Sequence, residues 1–180
     1  VAAAFAAMGS VYFFSYFLRS AIPGTIFDDL QVDLGLSASA VAAMGSMFTW
    51  IYGGMQIVVG LLAARYGGAR TLVWGGAVML AGATLFPLSR SAGLAFASRA
   101  VTGLGASFMY LCLIKELDRL FDQRRFTLWL GIILAVGYSG GVMATLPFER
   151  LADAFGWRHT LLGVAFLLAV ALTVAGSALR

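Results

Sequence analysis

The chain has 180 residues, of which 61% are hydrophobic and 11% are charged, and its mean hydropathy is +0.92. Soluble domains have about 45–50% apolar and about 25% charged residues, so this composition excludes an ordinary soluble fold. The net charge of +4 is spread over several short segments, so we expect no nucleic-acid partner. The single cysteine and single histidine predict no internal disulfide, no metal site and no cofactor.

Charged residues are absent or nearly absent from six long segments. A helix needs about 20 mostly apolar residues to cross a hydrocarbon core of about 30 Å. The sequence therefore predicts an all-α membrane protein with six transmembrane helices. No long linker divides the chain, so we expect residues 1–180 to form a single bundle. The predicted helices cover residues 2–27, 38–63, 71–88, 92–116, 126–147 and 159–179.

The first predicted helix carries a charge within an apolar run. Arg19 shares one helix face with Tyr16 and Tyr12, at i−3 and i−7. A guanidinium beside two phenols suits an anion such as a carboxylate or a phosphate. The alternative is that Arg19 reaches the lipid headgroups from the end of the helix. Beyond it, Pro23 and Gly24 predict that the helix bends or loosens.

The fourth predicted helix carries the other arginine that falls within an apolar run. Arg99 shares a face with Gly103, Ala106 and Tyr110, and the small residues permit close helix contact. Two roles stay open for Arg99. It could donate to carbonyl groups of a neighbouring helix, which is structural, or it could lie on a proton path.

The fifth predicted helix contains Gly137-Tyr138-Ser139-Gly140-Gly141, which matches the G-x-S-x-G of serine hydrolases by letter. A nucleophile elbow requires a strand and a sharp turn before the serine, and a continuous apolar run offers neither. The only histidine, His159, begins the sixth helix and should lie near the membrane surface. We therefore expect Ser139 and the three glycines to form a small-residue packing face.

Basic residues are distributed unequally between the two sets of connections. Alternate connections and the C-terminus hold seven basic residues, whereas the other connections hold three. The positive-inside rule then places both ends of the segment in the cytoplasm. The seven are Arg65, Arg70, Lys115, Arg119, Arg124, Arg125 and Arg180, and the three are Arg90, Arg150 and Arg158.

Four stretches of the chain match known transporter motifs. The segment from Gly60 to Arg70 resembles the signature G-x-x-x-D-R-x-G-R-R, with Gly60, Arg65 and Gly67 on matching positions and Arg70 one past the last, and with Ala64 in place of the aspartate. The others are "RAVTGLG", with Arg99, Gly103 and Gly105, the glycine-rich "GYSGG", and "FGWRHT". In these motifs and their order the chain resembles the N-terminal half of the major facilitator superfamily.

The resemblance implies one half of a twelve-helix fold, in which two six-helix halves rock around a midplane site. Helices 1 and 4 would line the cavity, and the segment with Gly60, Arg65, Gly67 and Arg70 would belong to a cytoplasmic gate. Arg65 and Arg70 would pair with helix ends there. Gly103, Gly105, Gly137, Gly140 and Gly141 would be packing positions. An arginine in helix 1 also resembles the organic-anion branches of the superfamily.

These features predict a secondary active transporter, not an enzyme, that moves a small anionic solute by alternating access with proton or solute coupling. Its partners would be the solute, the bilayer and a C-terminal half, and a bacterial inner membrane is the expected location. The rival functions are an intramembrane serine hydrolase using Ser139 and His159, and a self-associating six-helix channel or scaffold. The predicted substrate-binding residues are Arg19, Tyr16, Tyr12, Arg99 and Tyr110.

Overall fold

The computed structural model describes residues 2–179, which contain nine α-helices, one π-helical segment and no strands. Val1 and Arg180, the latter included in the charge count above, lie outside the described residues. The α-helices are α1 (Ala2–Ser20), α2 (Phe27–Leu34), α3 (Ala38–Gly54), α4 (Gln56–Tyr66), α5 (Gly68–Leu88), α6 (Ala92–Leu120), α7 (Gln123–Met143), α8 (Leu146–Phe155) and α9 (Trp157–Ala178).

Six long helical units form the bundle. By length and composition α5, α6, α7 and α9 could each cross a membrane, and α2 with α3, bent by 118°, could count as a fifth span. The unit α1 has 19 residues and carries Arg19 near its end. Only Met55 separates α3 from α4, and its backbone N–H still donates to the Ile51 carbonyl at 3.0 Å. The two helices therefore act as one rod.

The first helix ends earlier than predicted. Residues 2–27 were expected to be one helix, but α1 stops at Ser20 and a π-helical segment follows, Ala21–Thr25. Ile22 leaves the helical region, with φ −116° and ψ 120°. Pro23 has no backbone N–H, so it cannot bond the Arg19 carbonyl four residues earlier. The predicted weakness at Pro23 and Gly24 is confirmed, because the helix is kinked there.

The sequence did not predict two short helices. Both lie at the end of the bundle opposite the α4–α5 connection. One is α2, and the other is α8, which begins at Leu146 with Pro147 in its first turn. The predicted fifth helix therefore ends at Met143, not at residue 147. Both short helices mix charged and apolar residues, so they lacked the long apolar run from which spans were predicted.

Asp33 of α2 connects this helix to the start of α9 at this end of the bundle. Its Oδ2 accepts a hydrogen bond from Trp157 Nε1 at 3.0 Å and lies 3.5 Å from Arg158 Nε. Arg158 also donates through Nη1 to the carbonyls of Pro87 and Ser89, at 2.9 and 2.5 Å. The start of α9 is thereby joined to both α2 and the α5–α6 connection.

Glycines allow the closest helix contacts in the bundle. A Cβ on Gly105 of α6 would overlap the backbone nitrogen of Met79 in α5 and lie 2.6 Å from the Gly75 carbonyl. A Cβ on Gly103 would lie 3.2 Å from the Phe48 ring of α3. Because α6 meets both helices with almost no side chain between them, its position in the bundle is closely defined.

Three glycines near the end of α7 pack against α1. A Cβ on Gly137 would overlap the Tyr12 ring, one on Gly140 would overlap the Phe13 carbonyl, and one on Gly141 would lie 3.2 Å from Ser20 Oγ. Ser139 does not share this face, although the sequence predicted that it would. Its side chain is exposed, and its hydroxyl donates to the Val136 carbonyl of its own helix at 2.7 Å.

Candidate functional site

Arg19 lies at the end of α1 with an exposed side chain. The guanidinium carbon is 6.0 Å from the ring centroid of Tyr16 and 5.6 Å from that of Tyr52. Both distances fall within the range of cation–π attraction, which is about 6 Å. The two rings therefore hold the guanidinium in place from α1 and α3, and part of its hydrogen-bonding edge stays open.

Further tyrosines extend this arrangement across α1 and α7. The Tyr16 ring centroid lies 5.1 Å from that of Tyr12 and 4.9 Å from that of Tyr138, both edge to face. Tyr12 is buried, Tyr16 and Tyr52 are half-buried, and Tyr138 is 53% exposed. We call this set the arginine–tyrosine cluster: Arg19, Tyr12, Tyr16, Tyr52 and Tyr138.

Three of the predicted residues thus lie together, and two cluster members were missed. Tyr138 was hidden within the glycine motif, and Tyr52 lies in a charge-free run with no neighbouring charge to mark it. Gln56, one turn after Tyr52, donates to the Tyr52 carbonyl at 3.0 Å and to the Ser107 carbonyl of α6 at 3.4 Å. Tyr110 packs half-buried against the core on α6, with no ring contact to the cluster among the described residues.

Arg99 lies behind the cluster and is 1% exposed. Its Nη1 donates to the Leu18 carbonyl at 3.0 Å, and its Nη2 donates to the carbonyls of Arg19, at 3.3 Å, and of Ile22. Its guanidinium carbon also lies 4.2 Å from the Phe48 ring centroid. These are the carbonyls around the break in α1, which have lost regular helical partners.

This geometry favours the structural alternative for Arg99. Its terminal nitrogens are committed to carbonyls, and the side chain does not reach an open surface in this conformation. Its contact with the Arg19 carbonyl also means that α6 holds the backbone from which the cluster's arginine projects.

At the other end of the bundle, two consecutive residues of α6 bridge the α4–α5 connection. Lys115 Nζ donates to the Ala63 carbonyl in the last turn of α4, at 2.7 Å. Glu116 Oε1 accepts from the Ala69 N–H in the first turn of α5, also at 2.7 Å. A cation at a helix C-terminus and an anion at an N-terminus both complement the helix dipoles. The other carboxylate oxygen of Glu116, Oε2, forms an ion pair with Arg119 Nη2 at 2.8 Å.

The four residues of the signature segment surround this bridge without making it. Gly67 ends α4 at φ +86°, a conformation that favours glycine. Gly60 has open space around its Cα, whereas Arg65 and Arg70 are exposed. Neither arginine hydrogen-bonds to a helix end in the described part of the chain. The expected pairing of Arg65 and Arg70 with helix ends is therefore absent within this half, and Lys115 and Glu116 supply that contact.

Glu116→Leu should lower the free energy of unfolding by about 1–3 kcal/mol, because it leaves the Ala69 N–H without its acceptor at a partly buried site and removes the ion pair with Arg119. Thermal unfolding of the purified protein measures this effect. Glu116→Gln keeps an acceptor and should cost less. Asp118→Leu, at an exposed position on the same helix, is the matched control. Equal losses for the Glu116→Leu and Asp118→Leu variants would contradict the capping role.

An acidic groove of about 520 Å³ lies between α2 and α8. Asp28, Asp29, Glu149 and Asp153 line it. Burial, followed by the nearby charges of Asp33, Asp153 and Asp28, raises the pKa of Asp29. A carboxyl group with a raised folded-state pKa favours folding more as the pH falls through that range.

The residues of the hydrolase alternative are not brought together. The Ser139 hydroxyl bonds its own helix, and the exposed His159 lies at the start of α9 beside α8. No hydrogen bond links either residue to a carboxylate or to the other among the described side chains.

The chain belongs to the Major Facilitator Superfamily, whose sequence profile matches residues 8–179. The fold also matches a crystal structure of a mutant of the peptide transporter POT in complex with sulfate. That match has a TM-score of 0.83 and 19% identity, and covers 97% of this chain and 36% of that one. At that identity the likeness concerns the fold alone, and it is that of one half of a major facilitator transporter.

Three curated proteins are similar in sequence. An uncharacterised MFS-type transporter of Mycobacterium tuberculosis is 25% identical over 82% of this chain and 26% of its own length. The oxalate:formate antiporter of Oxalobacter formigenes is 28% identical over 76% of this chain and 34% of its own. The agnestins efflux protein of Paecilomyces divaricatus is 29% identical over 80% and 33%. The chain thus spans between about a quarter and a third of these relatives, and it is an integral membrane segment of a transporter family.

Proposed function

We propose that this chain is the N-terminal half of a secondary active transporter that binds a small anionic solute at the arginine–tyrosine cluster. A C-terminal half would complete the cavity, and alternating access of the two halves would move the solute. Transport would be coupled to protons or to a counter-solute. The protein would act without enzymatic chemistry.

The observation that carries this proposal is the exposed Arg19 guanidinium, which Tyr16 and Tyr52 hold at the open end of α1. A permanently charged group is expensive within a membrane and usually faces a wet cavity or pathway. Its planar donors match a carboxylate or phosphate. The name of the O. formigenes relative, which specifies two carboxylates, supports the same chemical class.

The proposed membrane placement rests on the distribution of charge. The α4–α5 and α6–α7 connections hold six of the twelve basic residues, whereas the opposite end holds three basic residues and the acidic groove. The positive-inside rule then puts the Lys115–Glu116 bridge and both ends of the segment in the cytoplasm. The expected membrane is the bacterial inner membrane.

Uptake of radiolabelled oxalate, formate and phosphate by proteoliposomes tests the proposal with the full-length protein. We expect Arg19→Gln to raise the apparent KM for the transported anion by about 30-fold, because a hydrogen bond between charged groups contributes about 1.5–3 kcal/mol. Arg19→Lys keeps the charge but loses the planar fork, so it should restore only part of the affinity.

Arg150→Gln is the control, because Arg150 is an exposed arginine of α8 outside the cluster. It should leave the apparent KM unchanged. Uptake of an anion by the Arg19→Gln variant with a normal KM would overturn the assignment of Arg19. The hydrolase alternative predicts the opposite pattern, in which Ser139→Ala abolishes activity and Arg19→Gln does not.

A further inference from the structure

Two cavities adjoin at the start of α9, away from the arginine–tyrosine cluster. The first, of about 460 Å³, is lined by Arg90, Arg158 and His159 together with Pro87, Leu88 and Leu162. We call it the headgroup pocket. The second, of about 560 Å³, runs between α8 and α9 and shares His159 with the first. We call it the acyl groove. A basic pocket thus leads directly into an apolar groove.

The headgroup pocket has the charge to hold one phosphodiester. Asp33 opposes Arg158, at 3.5 Å from its Nε, and no carboxylate lines the pocket itself. Arg90 is exposed and has no ion-pair partner in the described part of the chain. One positive charge therefore stays unopposed, which matches the single negative charge of a phosphodiester. The imidazole of His159 adds a hydrogen-bond donor at the junction with the groove.

The acyl groove has the shape and surface for a hydrocarbon chain. Leu151 and Phe155 of α8 form one wall, and Phe166 and Leu167 of α9, 68% and 54% exposed, form the other. Gly163 lies between them, and a Cβ built there meets no atom within 4 Å. The missing side chain leaves a notch in the outward face of α9. An exposed apolar surface on a membrane-spanning helix faces the hydrocarbon chains of the lipid.

The position of the acyl groove in the bundle indicates which kind of molecule occupies it. The helices of the arginine–tyrosine cluster are α1, α3 and α7, with α6 behind them, so the open face toward a second half lies on that side of the bundle. No residue of α9 belongs to the cluster. The headgroup pocket lies where α5 and α6 meet and where α9 begins, which is the depth of a lipid headgroup for membrane-spanning helices. An arginine near a membrane surface attracts an anionic lipid headgroup, with about 1 kcal/mol for each arginine.

We propose that the headgroup pocket and the acyl groove together bind one anionic glycerophospholipid. Arg90 and the free edge of Arg158 would hold its phosphodiester, and one acyl chain would lie along α9 over Gly163. This site is separate from the solute site, and its occupancy does not depend on which solute the protein carries.

Native mass spectrometry of the full-length protein, released from mixed phosphatidylglycerol and phosphatidylcholine nanodiscs, tests the proposal. We expect the wild type to retain phosphatidylglycerol over phosphatidylcholine by about fivefold, the effect of one arginine near a lipid surface. Arg90→Gln should remove that preference, and Arg90→Lys should restore most of it. Gly163→Trp fills the notch and should lower the number of retained lipids.

Two variants serve as controls. Arg150→Gln removes an exposed arginine outside both cavities, and Ala81→Trp adds the same bulk on the exposed face of α5. Both should bind lipid as the wild type does. Equal retention of the two lipids by the wild type, or the same lipid preference in the Arg90→Gln and Arg150→Gln variants, would overturn the proposal. A groove covered by another segment of the protein would retain no lipid, and Gly163→Trp would then destabilise the fold. That result also rejects the lipid site.

Discussion

Replacing Arg99 with methionine should cost about 3 kcal/mol or more of folding free energy, the largest loss that we expect from any single side-chain truncation in this chain. The guanidinium is buried and donates to the carbonyls of Leu18, Arg19 and Ile22. Each buried carbonyl left without a donor costs about 1–3 kcal/mol. The apparent Tm of the full-length protein in detergent, followed by fluorescence-detected size exclusion, measures the loss.

Arg150→Met is the matched control, since it removes the same group from an exposed position. A Tm change no larger than that of the control would show that Arg99 does not hold the broken end of α1. Arg99→Lys separates the two roles considered for this residue. Under the structural role it should recover part of the stability and transport together. A variant that folds normally but loses proton-coupled transport would instead indicate a proton path.

The Gly105→Ala variant should lose about 3 kcal/mol or more, although it adds only one methyl group. Small-to-large changes in packed cores usually cost about 1–3 kcal/mol because neighbouring side chains move aside. At Gly105 the obstructing atoms are the backbone nitrogen of Met79 and the carbonyl of Gly75. These atoms cannot rotate away, so α5 and α6 must separate along their whole contact.

Gly131→Ala is a control for which we expect no loss of stability, or a gain. Gly131 lies within α7 and an added Cβ meets no atom within 4 Å. Alanine favours helix over glycine by about 0.5–1 kcal/mol in helix interiors, so this variant should be unchanged or more stable. Thermal unfolding of both variants compares the same chemical change at a contact and at an open position. Equal stability of the two would mean that α5 and α6 do not approach as closely as described.

The identity of the fold class could be predicted from the sequence because lipid imposes a simple rule. Long charge-free runs must be helices in a bilayer, since no other open structure satisfies its backbone there. The spacing of Arg19, Tyr16 and Tyr12 on one helix face likewise follows from local geometry alone. The weak point at Pro23 was visible for the same reason, because the missing N–H is a property of the residue itself.

The partners across helices could not be predicted in this way. Tyr52 reaches Arg19 because α3 packs against α6 and the π-helical segment, and Tyr138 reaches Tyr16 because α7 packs beside α1. Neither tyrosine carries a local sign of that contact. Gly137, Gly140 and Gly141 were expected to form a packing face, and only the structure shows that the helix they meet in this bundle is α1. Ser139, one residue from Gly140, points away because neighbouring positions on a helix face different directions.

The same distinction, between a residue that needs a partner and the partner that it finds, applies to Arg99 and to the Lys115–Glu116 bridge. An arginine within an apolar run indicates from the sequence alone that its side chain must have a partner, since an unpaired charge in that environment is too costly. Which partner it finds depends on where α1 breaks and on how closely α6 approaches it. The sequence by itself determined the membrane class, the helical runs and the residues that need partners, because these depend on local spacing and on transfer to lipid. Only the tertiary structure decided the arginine–tyrosine cluster, the caps on α4 and α5 and the pockets beside α9, because each joins residues far apart in the chain.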